Sequence, residues 1–236
     1  MNNHRSRKAR ETTAGFTLLE ILLAMVVLSI VMGLIFSSFD GVFSDAGHIR
    51  STSDIHETAQ ACLQRLSLDL QAIHVSQAPR YTPPDIHDET PDIYRVEGDN
   101  ETAVDGTLAR LRFTSLAHLP LGGDTRQGIA EIVYYTQQAA DGSYELRRAD
   151  RLYPYPEAFE PSEADALVCD QVRSFKLLFF DRENREFEAW NSQDDDLEFS
   201  TPTTISVELK VGDETSPYEF ETAVTLPMQR QYEAKR

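Results

Sequence analysis

The sequence has few of the residues that build metal centres and redox sites. It contains two cysteines and one tryptophan in 236 residues. Cys62 and Cys169 do not form a C-x-x-C pair, which excludes zinc-ribbon and thioredoxin-like sites. In an oxidising compartment these two residues could form one disulfide, and otherwise they are two independent buried thiols. The sequence leaves both states open.

Motifs for catalysis are missing as well. The chain has no G-x-S-x-G nucleophile elbow, no phosphate-binding loop and no H-E-x-x-H helix. We interpret His48, His56 and His74 as solvated helix-face residues, since none is paired at i, i+4. The acidic stretch at 194–198 lacks the glycine and the spacing of an EF-hand loop, so we interpret it as a solvated loop. We therefore predict no catalytic residue, no metal site, no cofactor and no enzymatic activity.

Positive charge is scarce, and part of it is concentrated at one end. The formal net charge is −17, from 22 Lys and Arg against 39 Asp and Glu. Four of the basic residues, Arg5, Arg7, Lys8 and Arg10, lie at the N-terminus. The acidic remainder would repel nucleic-acid phosphates, so we predict that nucleic acid is not a partner.

Long hydrophobic runs are also rare, and residues 16–36 form one that is interrupted by a single charge, Glu20. As a helix this run spans roughly 31 Å, which matches a hydrocarbon core of about 30 Å. A cleaved secretory signal fits less well, because its apolar region has only about 7–15 residues. The basic residues before the run, with Asp40 and Asp45 after it, predict a cytoplasmic N-terminus.

Glu20 is an unfavourable residue in such a helix. A carboxylate at the centre of a membrane helix costs about 2.5–3.5 kcal/mol, and less near the helix end. A buried charge becomes tolerable when an opposite charge matches it. The sequence therefore predicts a functional role for Glu20 that involves a partner group.

Beyond the apolar run, the sequence predicts one helix followed by strands. Apolar residues recur in steps of three and four from Ile55 to Ile73, which marks one helix face. We predict a helix over about 16–77 and then a loop region with little regular structure at 79–106, which is rich in proline and glycine. The expected class is α+β, with the long helix, membrane half plus amphipathic half, packed on antiparallel β-sheets. About seven strands are predicted, at 108–114, 130–136, 144–151, 172–180, 186–190, 203–211 and 218–226.

The stretch GFTLLE at residues 15–20, with basic residues before it and the apolar run after it, resembles the processing motif of type IV pilins and type II secretion pseudopilins. The resemblance implies that a prepilin peptidase cuts after Gly15 and that Phe16 is then N-methylated. It also implies that Glu20 pairs with the N-terminal amine of a neighbouring subunit during assembly. That amine would be the opposite charge that Glu20 requires.

The rest of the chain is similar to the minor pseudopilins of the J type. The similarity rests on LQRLSLDL at 63–70, YELRR at 144–148, the stretch 167–181, Trp190 and the segment 203–227. It implies the pseudopilin fold. The implied domains are a prepilin leader at 1–15, a transmembrane helix at 16–36, a periplasmic continuation of that helix at 37–78, and a β-rich periplasmic domain at 79–236.

This resemblance implies a subunit at the tip of the type II secretion pseudopilus, which supports export of folded proteins across the outer membrane. The implied partners are the prepilin peptidase, the I-type and K-type minor pseudopilins and the major pseudopilin. The implied location is the inner membrane, crossed once, with the C-terminal domain in the periplasm. Two alternatives remain: a minor pilin of a type IV pilus or DNA-uptake system, and a membrane-anchored periplasmic binding protein or enzyme that keeps its N-terminus.

Overall fold

The predicted α+β class is confirmed by the architecture of the chain. The computed structural model describes residues 17–81, 83, 92–103, 106–120, 126–139, 143–156, 158–213 and 216–231. Two compact units divide the chain, Met1–Ser53 and Asp54–Arg236. One long helix opens the described part, and a β-sheet makes up most of the second unit.

Helix α1 covers Leu18–Gln71. Thr17 caps its N-terminus, because its carbonyl accepts the amides of Glu20 and Ile21 at 3.0 and 3.3 Å and its hydroxyl oxygen accepts the Glu20 amide at 3.4 Å. The membrane-length segment of α1 is Leu18–Ser37, with a mean hydropathy of 2.8 and no part of it buried.

The second unit contains the last turns of α1, which bury one face. The predicted apolar stripe is confirmed, because Ala59, Cys62, Leu66 and Leu70 are all buried in the main hydrophobic core. The predicted end of the helix near residue 77 is wrong. The helix ends at Gln71 because the residues that follow leave it to form a strand.

The sheet has ten strands among the described residues, in the order β10-β9-β6-β5-β4-β3-β2-β8, with β1 paired to β3 and β7 paired to β6. All ladders are antiparallel except one bridge between β3 and β6, which brings these strands into contact although two others stand between them in the sheet order. The strands are β1 Ile73–His74, β2 Glu97–Ala103, β3 Gly106–Ser115, β4 Ala130–Gln138, β5 Tyr144–Leu152, β6 Ala166–Phe180, β7 Glu186–Phe187, β8 Trp190–Asn191, β9 Thr204–Val211 and β10 Tyr218–Thr225.

Three details of the predicted strand pattern are wrong. Strand β1 lies inside the predicted helix, and it exists because Ile73 and His74 pair with Ser115 and Thr114 of β3. Strand β2 lies inside the predicted loop region at 79–106, where its polar sequence EGDNETA pairs with residues 106–112 of β3. The predicted strand at 186–190 is two short pieces, β7 and β8.

The main core lies between the stripe of α1 and the inward side chains of the sheet. Aromatic residues that alternate along the strands, such as Phe113, Tyr134, Phe175 and Phe179, are fully buried in it. A second, small cluster on the opposite face of β4 and β5 contains Tyr135. These strand aromatics are therefore core residues.

Candidate functional site

The first candidate site is the N-terminal end of α1. Gly15 and Phe16, the predicted processing residues, lie outside the described residues. Glu20 lies in the first turn of α1, where the partial positive charge of the helix N-terminus favours a carboxylate. Its side chain is exposed, as are those of the apolar residues around it.

The surface around Glu20 is suited to lipid or to a partner helix rather than to water. Leu18, Leu22 and Met25 are between 60% and 83% exposed in the isolated chain. The hydroxyl of Ser29 donates to the carbonyl oxygen of Met25 at 2.8 Å, so this polar group is satisfied within the helix. The segment Leu18–Ser37 is long and apolar enough to cross a membrane.

The second candidate site is a buried group of charges that joins α1 to the sheet; we call Asp69, Arg148, Tyr134 and Arg65 the Asp69 cluster. Asp69 is fully buried. Its Oδ2 atom accepts a hydrogen bond from Arg148 Nε at 2.6 Å and another from the Tyr134 hydroxyl at 2.7 Å. Its Oδ1 atom accepts from Arg65, one helical turn earlier on α1.

Arg148 is the cation at the centre of the Asp69 cluster. Its side chain is 1% exposed, and its two remaining nitrogens donate to Asp150 Oδ2 at 2.6 Å and to the carbonyl oxygen of Ala117 at 3.1 Å. Burial alone would lower the pKa of Arg148. The hydrogen bonds and charges of Asp69 and Asp150 outweigh that effect and raise the pKa above its usual value. Arg148 is therefore charged and fully matched.

Tyr134 is held in its neutral form by the same surroundings. Burial raises the pKa of its hydroxyl well above the usual value, and the charge of Asp69 and the hydrogen bond to it raise it further. The contacts of the Asp69 cluster join α1 to β4 and β5, so the cluster fixes the helix to the sheet.

The Asp69 cluster is the functional feature that sequence reasoning missed. The stretches LQRLSLDL and YELRR were recognised separately, and the structure brings Asp69 of the first into contact with Arg148 of the second, 79 residues later. A signal for this contact exists in the sequence. Asp69 lies next to Leu66 and Leu70 on the buried face of α1, and Arg148 lies two residues after the buried Leu146 on β5. A charge on each of two buried faces needs an opposite partner.

The acidic stretch at 194–198 does not make a site by itself. The carboxylates of Asp194, Asp195 and Asp196 lie within 4.8 Å of one another, and all three residues are exposed. One carboxylate oxygen of Asp194 already accepts the Asp196 amide at 3.0 Å. The interpretation as a solvated loop stays a prediction.

Two of the three histidines named above have described side chains. His56 is exposed on α1, with its ring against those of Tyr218 and Phe220 at 5.2 and 5.0 Å. His74 lies in β1 rather than on a helix face, half-buried and 4.8 Å from the ring of Tyr94. The helix-face interpretation of His74 is therefore wrong. The side chain of His48 lies outside the described residues.

Comparison with known proteins identifies the N-terminal segment. Residues 12–36 match the family described as the prokaryotic N-terminal methylation motif. Together with the apolar helix, this match fits a membrane-anchored, single-pass protein.

Among solved structures, a type IV-like pilin from Thermus thermophilus is similar over 73% of this chain and 96% of its own, with 9% identity and a TM-score of 0.42. A likeness at this level says nothing about function. No curated protein sequence matches this chain.

Proposed function

We propose that this chain is an assembly subunit of the type IV pilin-like class and, more specifically, a minor pseudopilin of the type II secretion system. The observation that carries the proposal is the methylation motif at 12–36, which includes almost all of the membrane-length segment Leu18–Ser37. Glu20 stands at the fifth position after Gly15. A plain membrane anchor needs the apolar helix but needs neither the motif nor the carboxylate.

Cleavage after Gly15 would create the group that Glu20 requires. The new N-terminus is the amine of Phe16, and it would lie in the membrane next to the Glu20 carboxylate of a neighbouring subunit. Two opposite charges in contact attract more strongly in a medium of low dielectric than in water. An uncompensated carboxylate in the membrane is unfavourable by itself, so the pairing favours subunit association.

The Asp69 cluster supports the same function from the other end of α1. The helix that carries Glu20 also carries Asp69, whose side chain is fixed to Arg148 and Tyr134 in the sheet. A subunit that is inserted into a filament by its N-terminal helix needs its body attached firmly to that helix. The buried charge contacts provide this attachment in a way that exposed contacts could not, because solvent does not screen them.

The J-type assignment is supported by the two body motifs. LQRLSLDL and YELRR contain the charged residues of the Asp69 cluster. In this role the chain would act at the pseudopilus tip with I-type and K-type minor pseudopilins and the major pseudopilin, after processing by the prepilin peptidase. Its body would lie in the periplasm, with the basic N-terminus in the cytoplasm as the charge asymmetry predicts.

The proposed function is tested by deletion of the gene and complementation with Gly15→Ala. We expect the deletion to abolish secretion of exported enzymes into the medium, and the variant to accumulate as a precursor that does not restore secretion. Normal-sized mature protein from Gly15→Ala would contradict the processing step. Loss of pili or of DNA uptake, with secretion intact, would instead identify the chain as a minor pilin, a class that carries the same N-terminal motif.

A further inference from the structure

Two cysteines meet in the core between α1 and the sheet. Cys62 lies on the buried face of α1, and Cys169 lies on β6. Each is 1% exposed, and both belong to the main core cluster. The structure holds them as free thiols.

Contacts on either side of Cys62 place it over the stretch of β6 that contains Cys169. Ile55 lies seven residues before Cys62 on α1 and is close to Gly212, because a methyl group added at Gly212 would be 3.8 Å from the Cδ1 atom of Ile55. The Gly212 amide in turn donates to the carbonyl oxygen of Gln171 on β6 at 3.0 Å. Gln171 is only two positions from Cys169 along β6.

The other side is fixed by the Asp69 cluster. Seven residues after Cys62, Asp69 binds Arg148, and Arg148 is paired across the ladder with Ala166 of β6. The helix therefore passes from Gln171 to Ala166 along β6, and Cys169 lies between these two points. The raised pKa of the Cys62 thiol agrees with this placement, because its largest cause is the Cys169 side chain.

We propose that Cys62 and Cys169 form a disulfide in the mature protein, which fastens α1 covalently to β6. The bond rests on the proposed function in one respect, since it requires the body to fold in an oxidising compartment such as the periplasm. The oxidant is a disulfide donor of the thiol-exchange class.

The oxidation precedes burial. In the folded, reduced protein the hydrogen bond between the two thiols, followed by burial, raises the pKa of Cys62, and a protonated thiol is not a nucleophile. During folding, one cysteine thiolate attacks the donor disulfide, which forms a mixed disulfide and releases one donor thiol. The second cysteine thiolate attacks that mixed disulfide, the Cys62–Cys169 bond forms, and the second donor thiol leaves. Two electrons and the two cysteine protons pass to the donor.

The proposed bond joins α1 to the sheet at a second point, one that does not depend on charge. Asp69 and Cys62 lie seven residues apart on the same helix face, and both are fixed to strands that are neighbours in the sheet. The disulfide also closes a long loop, from residue 62 to residue 169, which restricts the unfolded chain. Force on the membrane end of α1 would then act on the whole body.

The test measures thiols in the full chain isolated from its native membrane. The sample is quenched in acid, denatured and treated with a polyethylene-glycol maleimide, with and without prior reduction. We expect no adduct before reduction and two adducts after it. Adducts on both cysteines without reduction would overturn the proposal. Cys62→Ser is the control, because it leaves Cys169 without a partner, and we expect one adduct without reduction.

A refolding experiment tests whether Cys62 and Cys169 can form the bond in the folded chain, independently of the compartment in which the protein is found. The reduced full chain is unfolded and then refolded in detergent with oxidised and reduced glutathione. We expect an intramolecular 62–169 bond by peptide mapping and a higher urea midpoint than in the reduced sample, with no such difference in the Cys62→Ser/Cys169→Ser double variant. Glutathione adducts or cross-linked dimers alone would overturn the proposal.

The N-terminus of the membrane sample reports on the proposed function separately. A chain that starts at N-methylated Phe16 but has free thiols supports the function and overturns the disulfide. A chain that retains Met1 but has the 62–169 bond supports the disulfide and overturns the prepilin assignment.

Discussion

At the scale of single residues, the Asp69–Arg148 pair dominates the interior of the body. Both side chains are at most 1% exposed, and their closest atoms are 2.6 Å apart. Removal of one partner from a buried pair leaves an unmatched charge, which is usually more harmful than replacement of both partners. The pair therefore makes the docking of α1 specific to one position on the sheet.

We predict that Asp69→Ala lowers the free energy of unfolding by about 3–5 kcal/mol, because Arg148 then remains buried without its main partner. Urea unfolding of the full chain in detergent measures this loss. The fluorescence of Trp190, which is 2% exposed, reports the transition. Asp54→Ala, at an exposed position of α1, is the control and should change the value by less than about 0.5 kcal/mol. Equal effects of the two substitutions would contradict the role of the Asp69 cluster.

Tyr134 provides a finer test of the same cluster. We predict that Tyr134→Phe costs about 1 kcal/mol, because its hydrogen bond to Asp69 is lost. The cost should shrink when Asp69→Ala is already present, since the hydroxyl no longer has its acceptor. A double-mutant cycle by urea unfolding measures the difference. Additive effects would show that the two side chains are not coupled.

At the scale of elements, the observed strands differ from the predicted ones where a strand forms because of its pairing partner rather than because of its own alternation of apolar and polar residues. The strands with clear alternation, such as β3 and β9, could be predicted from sequence because one face is apolar. Strand β2 could not, since EGDNETA has no apolar alternation and is a strand because it pairs with β3. The end of α1 was missed for the same reason, because residues 73–74 are drawn into the sheet by Ser115 and Thr114.

Gly98 tests the fit of β2 against its neighbours. A methyl group added there would lie 2.5 Å from Cζ of Phe179, a fully buried ring. We predict that Gly98→Ala lowers the free energy of unfolding by about 1–3 kcal/mol through overpacking. Gly128→Ala is the matched control, since its methyl group would meet only one Leu152 atom, at 3.3 Å. Identical urea midpoints for Gly98→Ala and the natural chain would contradict the close contact between Gly98 of β2 and Phe179.

At the scale of the whole molecule, one helix carries both the membrane segment and the stripe that holds the body. The N-terminal motif could be recognised from sequence alone because it is local: a glycine, five residues and an apolar run. The attachment of the body to the helix could not, because Asp69 and Arg148 are 79 residues apart and each looks like an ordinary charged residue until the fold unites them. The two features together suit a subunit that is assembled through its helix.

Assembly should therefore depend on Glu20 and not on negative charge elsewhere on α1. We predict that Glu20→Ala is processed normally but loses most of its incorporation into filaments, because the N-terminal amine of the next subunit has no partner. Cross-linking in cells to the neighbouring subunits measures incorporation. Glu57→Ala, at an exposed position of the same helix, should assemble as the natural chain does. Full incorporation of Glu20→Ala would exclude the charge pairing.

The central claim is that this chain is a processed prepilin, and its most direct test is the intact mass and N-terminal sequence of the protein from its native membrane. We expect a chain that begins at N-methylated Phe16 and contains Glu20 as its fifth residue. A chain that begins at Met1, or near Gly47 after removal of the entire apolar segment, would contradict it.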